Sequence, residues 1–264
     1  EQIKEASTKM LRSGALKMFL DSAFPDGPAI DHIHGGCKTH RGATYYTKAE
    51  ICERAMRASD LSINTAIHAR GNCAIDAALD AYQAVRRSDA SDPLLRIEHA
   101  FVAEPRQGAR MAELGVNLVT NPGFGYRFSE LFAKWRGDDQ PHLRIRPVRR
   151  MIDNSVRVSL ASDQPSDEYS PFEIMWRAVT RATVQGGQVD PEEAITAAEA
   201  LRLYTINAAH ASDRGDEEGS IEVGKRANFV VLDRDIVACP TDDIRATQVD
   251  MTFVDGKQVY ERDN

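Results

Sequence analysis

The sequence predicts an α/β fold of the (β/α)8 TIM-barrel type, followed by a small β appendage. Short apolar runs with the two-residue period of a strand alternate with helical patterns up to about residue 210, which is typical of parallel strands joined by helices. The length of 264 residues is close to the roughly 250 residues of one such barrel. Beyond this point only short β runs remain. We therefore expect a barrel domain over residues 1–212 and a β-sandwich segment over 213–264.

The composition indicates a globular protein and disfavours several kinds of partner. Apolar residues make up 42% and charged residues 28%, and the net charge is −7 without any block of Lys or Arg. The chain therefore lacks the basic surface that nucleic acid or an anionic membrane requires. No apolar run approaches the roughly 18 residues of a membrane span, and the first ten residues lack the apolar core of a signal peptide. We expect a cytoplasmic protein.

The 4 cysteines show no C-x-x-C spacing, which suggests free thiols and not a disulfide framework or a zinc knuckle. They are Cys37, Cys52, Cys73 and Cys239.

Five segments are predicted to be parallel strands. Their predicted C-terminal ends are Leu20, His68, His99, Pro122 and Asp163. The segments between them carry helix signals, such as Thr47 followed three residues later by Glu50, a capping box. The predicted helices cover about 47–59, 72–87, 104–114, 147–155, 171–184 and 191–210. Segment 124–147 is predicted to be irregular, and Asp255-Gly256 predicts a hairpin turn in the β appendage.

Potential metal ligands occur at the ends of three predicted strands. His68, His99 and Asp163 follow alternating apolar runs, and the C-terminal ends of barrel strands converge on one rim. Taken singly, such a histidine is more often a hydrogen-bonded structural residue, and Asp163 would also suit a turn. Two imidazoles and a carboxylate together suit a divalent transition metal. The pattern favours a metal-assisted hydrolase.

Three further side chains are candidates for the same site. Lys17 lies within the first predicted strand, where an inward lysine is costly unless it is paired or modified, although it could equally face solvent at a barrel end. Asn121 and Arg127 follow the fourth strand and are candidate substrate contacts. The ordinary polarity of a loop explains these two residues equally well.

Six segments also match known motifs in their order along the chain. They are HARGNCAIDAALDAY, RIEHA, VTNPGF, VSLASDQP, LRLYTINAA and GSIEVGKRANFVVLD. Together they resemble the amidohydrolase superfamily, in its amidohydrolase family 3 branch, over nearly the whole chain. Each fragment alone is weakly specific, and the order of all six carries the resemblance.

The resemblance implies a site and a reaction. His68 and His99 would be metal ligands from the fifth and sixth barrel strands, Asp163 a ligand and general base from the eighth, and Lys17 the lysine often carbamylated to bridge two metals. One or two divalent ions, with zinc expected, would lower the pKa of a water toward about 7. The substrate would be a small molecule with a non-peptide C–N bond, such as an amide, an N-formyl amine or a cyclic amide. Asp163 would take the proton of that water and return it to the leaving amine.

Two departures from the family pattern bear on this interpretation. Asn72 stands where the family has Asp, and either side chain can cap the following helix. The family's first three strands, with a His-x-His pair, should precede Lys17, and only sixteen residues are present there. His32 and His34 imitate that pair, but they follow the Lys17 strand in a loop rich in Gly and Pro, which favours a surface loop near the site.

We therefore expect the C-terminal five strands of a barrel lacking its N-terminal part. Five strands leave two open edges with unpaired backbone groups, so a homo-oligomer is expected. The alternative function is that of an incomplete or non-catalytic barrel, which binds a ligand or self-associates without turnover. A dinucleotide-binding oxidoreductase is rejected because HARGNCA does not match GxGxxG.

Overall fold

The structure is a computed structural model and describes residues 14–22, 27–31, 41–88, 92–140 and 142–263. Its strands are β1 Ala15–Phe19, β2 Asn64–Ala69, β3 Leu95–His99, β4 Val102–Ala103, β5 Asn117–Thr120, β6 Arg144–Ile145, β7 Val158–Leu160, β8 Phe229–Leu232, β9 Val249–Val254 and β10 Lys257–Glu261. Its α-helices are α1 Lys48–Asp60, α2 Asn72–Arg87, α3 Pro105–Glu113, α4 Pro122–Arg136, α5 Val148–Asp153, α6 Pro171–Thr180, α7 Ala197–Tyr204 and α8 Ile206–Ala211.

The centre of the molecule is a five-stranded parallel sheet in the order β1-β2-β3-β5-β7. All five predicted strands are present, and they follow one another across the sheet in chain order. Helices connect them, beginning with α1, which starts at the predicted Thr47–Glu50 capping box. The predicted α/β fold with a parallel sheet and a C-terminal β appendage is confirmed.

The two faces of this sheet differ in chemistry because side chains alternate along each strand. One face packs into the main apolar core with helix residues such as Ile51 and Ile75. Its strand residues include Met18, Ile67, Ile97, Leu118 and Val158. The opposite face is largely polar. There Glu98 is 3.9 Å from Lys17 Nζ and 3.1 Å from Arg96 Nε.

Strand β1 forms one edge of the sheet and β7 the other. Two large apolar side chains of β1 are exposed, Leu16 by 42% and Phe19 by 51%. A parallel strand is normally buried on both faces, so this edge is unusually open for its type.

Residues 124–147 are not irregular, and that prediction was wrong. They contain most of α4 and the strand β6, which pairs with β4. Gly123 and Gly125 disfavour a helix by their propensity. A Cβ at Gly125 would collide with the Arg146 guanidinium, so the glycine permits close packing there. Phe124, Phe128 and Phe132 recur every four positions of α4, and Phe124 and Phe132 pack with Phe101.

The last predicted barrel helices also have different limits. Helix α6 ends at Thr180 because Arg181 adopts φ +58°, and its buried guanidinium donates to the carbonyl oxygens of Arg146 and Val189. Segment 191–210 is not one helix. It forms a 3-10 turn at Pro191–Glu193 and then α7 and α8, which are separated at Thr205, where φ is −111° and ψ is −95°.

The C-terminal residues form an antiparallel sheet of β8, β9 and β10. Asp255 and Gly256 both have positive φ, 49° and 76°, as the predicted hairpin turn requires. A short 3-10 helix, Thr241–Ala246, joins this part to α6, where Trp176 Nε1 donates to Asp242 Oδ1 over 3.2 Å. The domain boundary at residue 212 stays a prediction. In the part of the chain that the structure describes, no helix has the length and apolar character needed to cross a membrane.

Candidate active site

Two buried histidines are in contact at the C-terminal ends of neighbouring strands. His68 lies in β2 and His99 ends β3, and their ring centroids are 4.3 Å apart at 66°. A positive φ of 81° at His99 turns the chain at the strand end. Burial lowers the pKa of His68 to about 3 and holds the pKa of His99 well below its usual value. Both rings are therefore neutral near pH 7, which is the form that binds metals.

Asn121 determines which nitrogen of His99 carries its proton. The amide oxygen of Asn121 is 2.5 Å from His99 Nδ1, and the amide nitrogen of Asn121 donates to the carbonyl oxygen of Ala161 over 3.3 Å. With this orientation, Nδ1–H of His99 must donate to the amide oxygen. The lone pair of His99 is consequently on Nε2. A contact between Asn121 and substrate stays a prediction.

Arg70 has the corresponding position beside His68. Its Nε donates to His68 Nε2 over 3.2 Å, while Nδ1 of His68 is buried and has no hydrogen-bond partner among the described residues. The guanidinium lies 4.2 Å from the ring centroid of Phe124 and 5.1 Å from that of Phe101. Arg70 was not among the site residues predicted from the sequence. Its spacing of two residues from a strand-end histidine is the signal that could have identified it, because such residues share a face.

Asp21 connects the ends of β1 and β2 and was also missed. Its fully buried carboxylate accepts hydrogen bonds from the backbone N–H groups of Ala29, Arg70 and Gly71, at 3.0, 2.8 and 2.9 Å. Burial raises the pKa of Asp21 to about 6, although these donors act in the opposite direction. One oxygen of Asp21 is 3.9 Å from His68 Nε2. Asp21 therefore fixes the backbone that follows His68 and links it to the chain after β1.

Asp163 lies in the exposed loop that follows β7, with a φ of 60°. Desolvation by the surrounding chain raises its pKa, and the positive charges of Arg70 and Lys17 oppose that shift. Lys17 is 38% exposed at its side chain. Its pKa is lowered by partial burial, against the raising effects of Glu98 and Asp163. Lys17 and Asp163 therefore influence each other's charge at this end of the sheet.

The structure does not bring all the predicted ligands together. We expected His68, His99 and Asp163 to form one ligand-sized cluster, but the described residues contain no group of three or more His, Cys, Asp or Glu arranged to hold a metal. Only the two histidines are in contact. The two histidines are buried, whereas Asp163 lies in an exposed loop, and Arg70 lies in contact with His68.

Two other predictions concern the surroundings of this site. Arg127 is half exposed, and its Nη2 is 3.3 Å from Asp167 Oδ1, so it forms an ion pair within the protein. Its contact with substrate stays a prediction. His32 and His34 lie outside the residues that the structure describes.

The chemistry of the donors fits a divalent transition metal. His99 presents a lone pair on Nε2, Asp163 supplies a carboxylate, and His68 would supply Nε2 if Arg70 did not donate to it. Two nitrogens and an oxygen are a donor set that zinc commonly takes in catalytic sites. The contact between Arg70 and His68 opposes this role, because it uses a lone pair that the metal would need.

The fold is that of an α/β protein, and its candidate site lies at the C-terminal ends of parallel strands. The chain belongs to the amidohydrolase family, whose model matches residues 1–260. The resemblance of its motifs to that family is thereby confirmed. The chain is 59% identical over 262 residues to N-substituted formamide deformylase from Arthrobacter pascens, and the match covers 99% of this chain and 48% of that protein. The chain spans about half the length of the curated relatives it matches first.

Solved structures with a similar fold include two metal-dependent hydrolases from Pyrococcus. The protein from Pyrococcus furiosus superposes with a TM-score of 0.74 at 27% identity, over 88% of this chain and 46% of its own. The protein from Pyrococcus horikoshii OT3 superposes with a TM-score of 0.75 at 23% identity, over 87% of this chain and 46% of its own. In each case this chain matches less than half of the hydrolase.

Proposed function

We propose that the protein is a metal-dependent amidohydrolase that cleaves the C–N bond of N-substituted formamides, giving formate and an amine. The observation that carries this proposal is the buried pair of neutral histidines, with the tautomer of His99 set by Asn121. The substrate class is supported by the 59% identity to a deformylase of N-substituted formamides.

We also propose that the parallel sheet corresponds to the C-terminal five strands of a (β/α)8 barrel. The order of the strands, which follows the chain without exception, is that of a barrel wall. The polar face with Lys17 and Glu98 would then point to the barrel interior, and the apolar face would contact the outer helices. The superposition on less than half of the Pyrococcus hydrolases supports this assignment.

His68, His99 and Asp163 would hold the metal, and Lys17 would contribute if two ions bind. Zinc, when bound, supplies Lewis acidity that polarises the formyl carbonyl and acidifies a water. Asp163 would take a proton from the attacking water and return it to the nitrogen of the leaving amine. A raised pKa suits this double role, because a stronger base accepts the proton more readily. Asn121 holds the ring of His99, and Asn121 and Arg127 are the candidate contacts for the amide substrate.

Formate release tests the proposal. Purified protein loaded with zinc should release formate from N-substituted formamides and should act far less on the matching acetamides. His99→Gln should lower the rate at least about a hundredfold, because it removes a ligand. His142→Gln is the matched control, since His142 is exposed in the turn before β6, and it should leave the rate unchanged. A His99→Gln variant as active as the control would contradict the assignment.

The exposed edge of β1 favours a second candidate function, that of a barrel portion that associates with another copy without turnover. Leu16 and Phe19 are large apolar side chains on a parallel strand at the edge of the described sheet. Such an edge tends to pair with other chains. Light scattering distinguishes the two candidates when it is combined with the formate assay. A stable monomer that turns over formamide excludes the second candidate, whereas an oligomer without activity supports it. A cytoplasmic location stays a prediction.

A further inference from the structure

We propose that Arg70 competes with the metal for His68, so that binding of a metal requires the guanidinium to leave His68 Nε2. This inference rests on the metal dependence in the proposed function. Arg70 lies inside the matched segment HARGNCAIDAALDAY, but the expected ligand set does not include it.

The hydrogen bond between Arg70 and His68 determines the tautomer of the ring. A guanidinium has only donors, so Nε2 of His68, 3.2 Å from Arg70 Nε, must be the acceptor. The proton of the neutral ring is then on Nδ1. Since a metal needs a nitrogen lone pair, neither nitrogen of His68 can bind one in this arrangement. His99 differs, because its proton is held by Asn121 and its Nε2 lone pair is available.

The positive charge of Arg70 opposes metal binding, as the tautomer of His68 does. Arg70 places a positive charge beside His68, and that charge acts on Asp163 and Asp21. A divalent cation at His68 and Asp163 would be repelled by the guanidinium at short range in a buried site. Loss of this charge should therefore strengthen metal binding independently of the hydrogen bond.

The backbone and the guanidinium of Arg70 are held by different contacts. Its backbone N–H is held by Asp21, so the chain at residue 70 stays in place when the side chain turns. The flat guanidinium also packs on the ring of Phe124, and this attraction does not require the hydrogen bond to His68. Its Nη1 is buried, and no residue in the described part of the chain accepts a hydrogen bond from it. When the guanidinium contacts His68, this donor therefore stays unsatisfied, and the unmade hydrogen bond destabilises that position of the side chain.

Zinc affinity tests the proposal without any measurement of turnover. Competition with a chromophoric chelator should show that Arg70→Met binds zinc about tenfold or more tightly than the wild type, since a hydrogen bond to a charged group and a repulsion are both removed. Arg110→Met is the matched control, because Arg110 lies on α3 and pairs with Asp76 and Asp80. The control should have the affinity of the wild type. Equal or weaker zinc binding by Arg70→Met overturns the proposal.

A second measurement does not depend on the folding of that variant. Long-range ¹H–¹⁵N spectra of the wild type without zinc should show His68 with its proton on Nδ1, and added zinc should abolish this tautomer. A proton on Nε2 in the zinc-free protein overturns the proposal. Arg70→Gln serves as a smaller change, with tighter zinc binding again expected. If zinc binding tightens while no formamide is hydrolysed, the competition stands and the proposed activity fails.

Discussion

The amide oxygen of Asn121 lies 2.5 Å from Nδ1 of His99, and this contact joins the end of β5 to the end of β3. Partners of this kind orient a metal-binding imidazole and select its tautomer. Asn121→Leu keeps the branched shape of the side chain but removes its hydrogen bonds, and it should therefore lower zinc affinity by about tenfold to a hundredfold. Asn121→Asp should retain most of the affinity, because a carboxylate oxygen still accepts from Nδ1–H. Equal loss in both variants, measured by chelator competition, would show that the contact is only structural.

Asp163 is the proposed base, and its replacement separates chemistry from folding. Asp163→Asn keeps the volume of the side chain but removes the proton acceptor, so formate release should be abolished. The exposed position of the residue predicts an unchanged thermal unfolding midpoint. Residual activity above about a tenth of the wild-type rate would indicate another base.

Asp21 should make stability depend on pH in a direction opposite to that of most carboxylates. Its pKa is raised from 3.8 to about 6 in the folded protein, so between these values the folded state binds more protons than the unfolded state. The contribution of Asp21 to the free energy of unfolding is therefore fully present below about pH 4. It is lost as the pH rises through 6, by roughly 3 kcal/mol at most.

Denaturation with urea at pH 4 and pH 7 measures this contribution as the difference between the wild type and Asp21→Asn. The variant should lack the pH-dependent loss, although it should be less stable by about 1–3 kcal/mol at its best pH because one backbone N–H loses its acceptor. Asp60→Asn is the control, since Asp60 is exposed at the end of α1, and it should preserve the wild-type pH profile. The assignment would be refuted if the free energy of unfolding changed equally between pH 4 and pH 7 in the wild type and in Asp21→Asn.

The cysteines should be free thiols of unequal reactivity. Cys52, Cys73 and Cys239 are unpaired in the structure, and Cys37 lies outside the described residues. Burial raises the pKa of Cys73 from 9.0 to about 11, so its thiolate fraction at pH 8 is roughly a hundredfold below that of an ordinary thiol. Mass spectrometry after brief alkylation should find Cys73 unmodified in the native protein. Thiol titration in denaturant should count 4, and a count of two or fewer would indicate disulfides.

Much of the fold could be predicted from local patterns, because each predicted strand carries its own signal. The alternation before His68, His99 and Asp163 is a property of a few consecutive residues, and parallel order follows from the helices between them. The capping box at Thr47 and the turn at Asp255-Gly256 are equally local. Helix α4 was missed because its two glycines have a low helix propensity, which obscured the regular aromatic spacing. The packing of Arg146 against Gly125, which explains the glycine, joins distant parts of the chain.

The sequence by itself determined the parallel α/β order, the two strand-end histidines and the family resemblance, since all three depend on residue types at short spacing. Only the tertiary structure decided which side chains control those histidines. Asn121 reaches His99 from the neighbouring strand, Asp21 joins two strand ends, and the guanidinium of Arg70 stacks on Phe124, which is distant in the chain. These contacts depend on the register of neighbouring strands and on burial. They determine where protons and charges lie within a few ångströms. No periodicity in the sequence encodes distances of that kind.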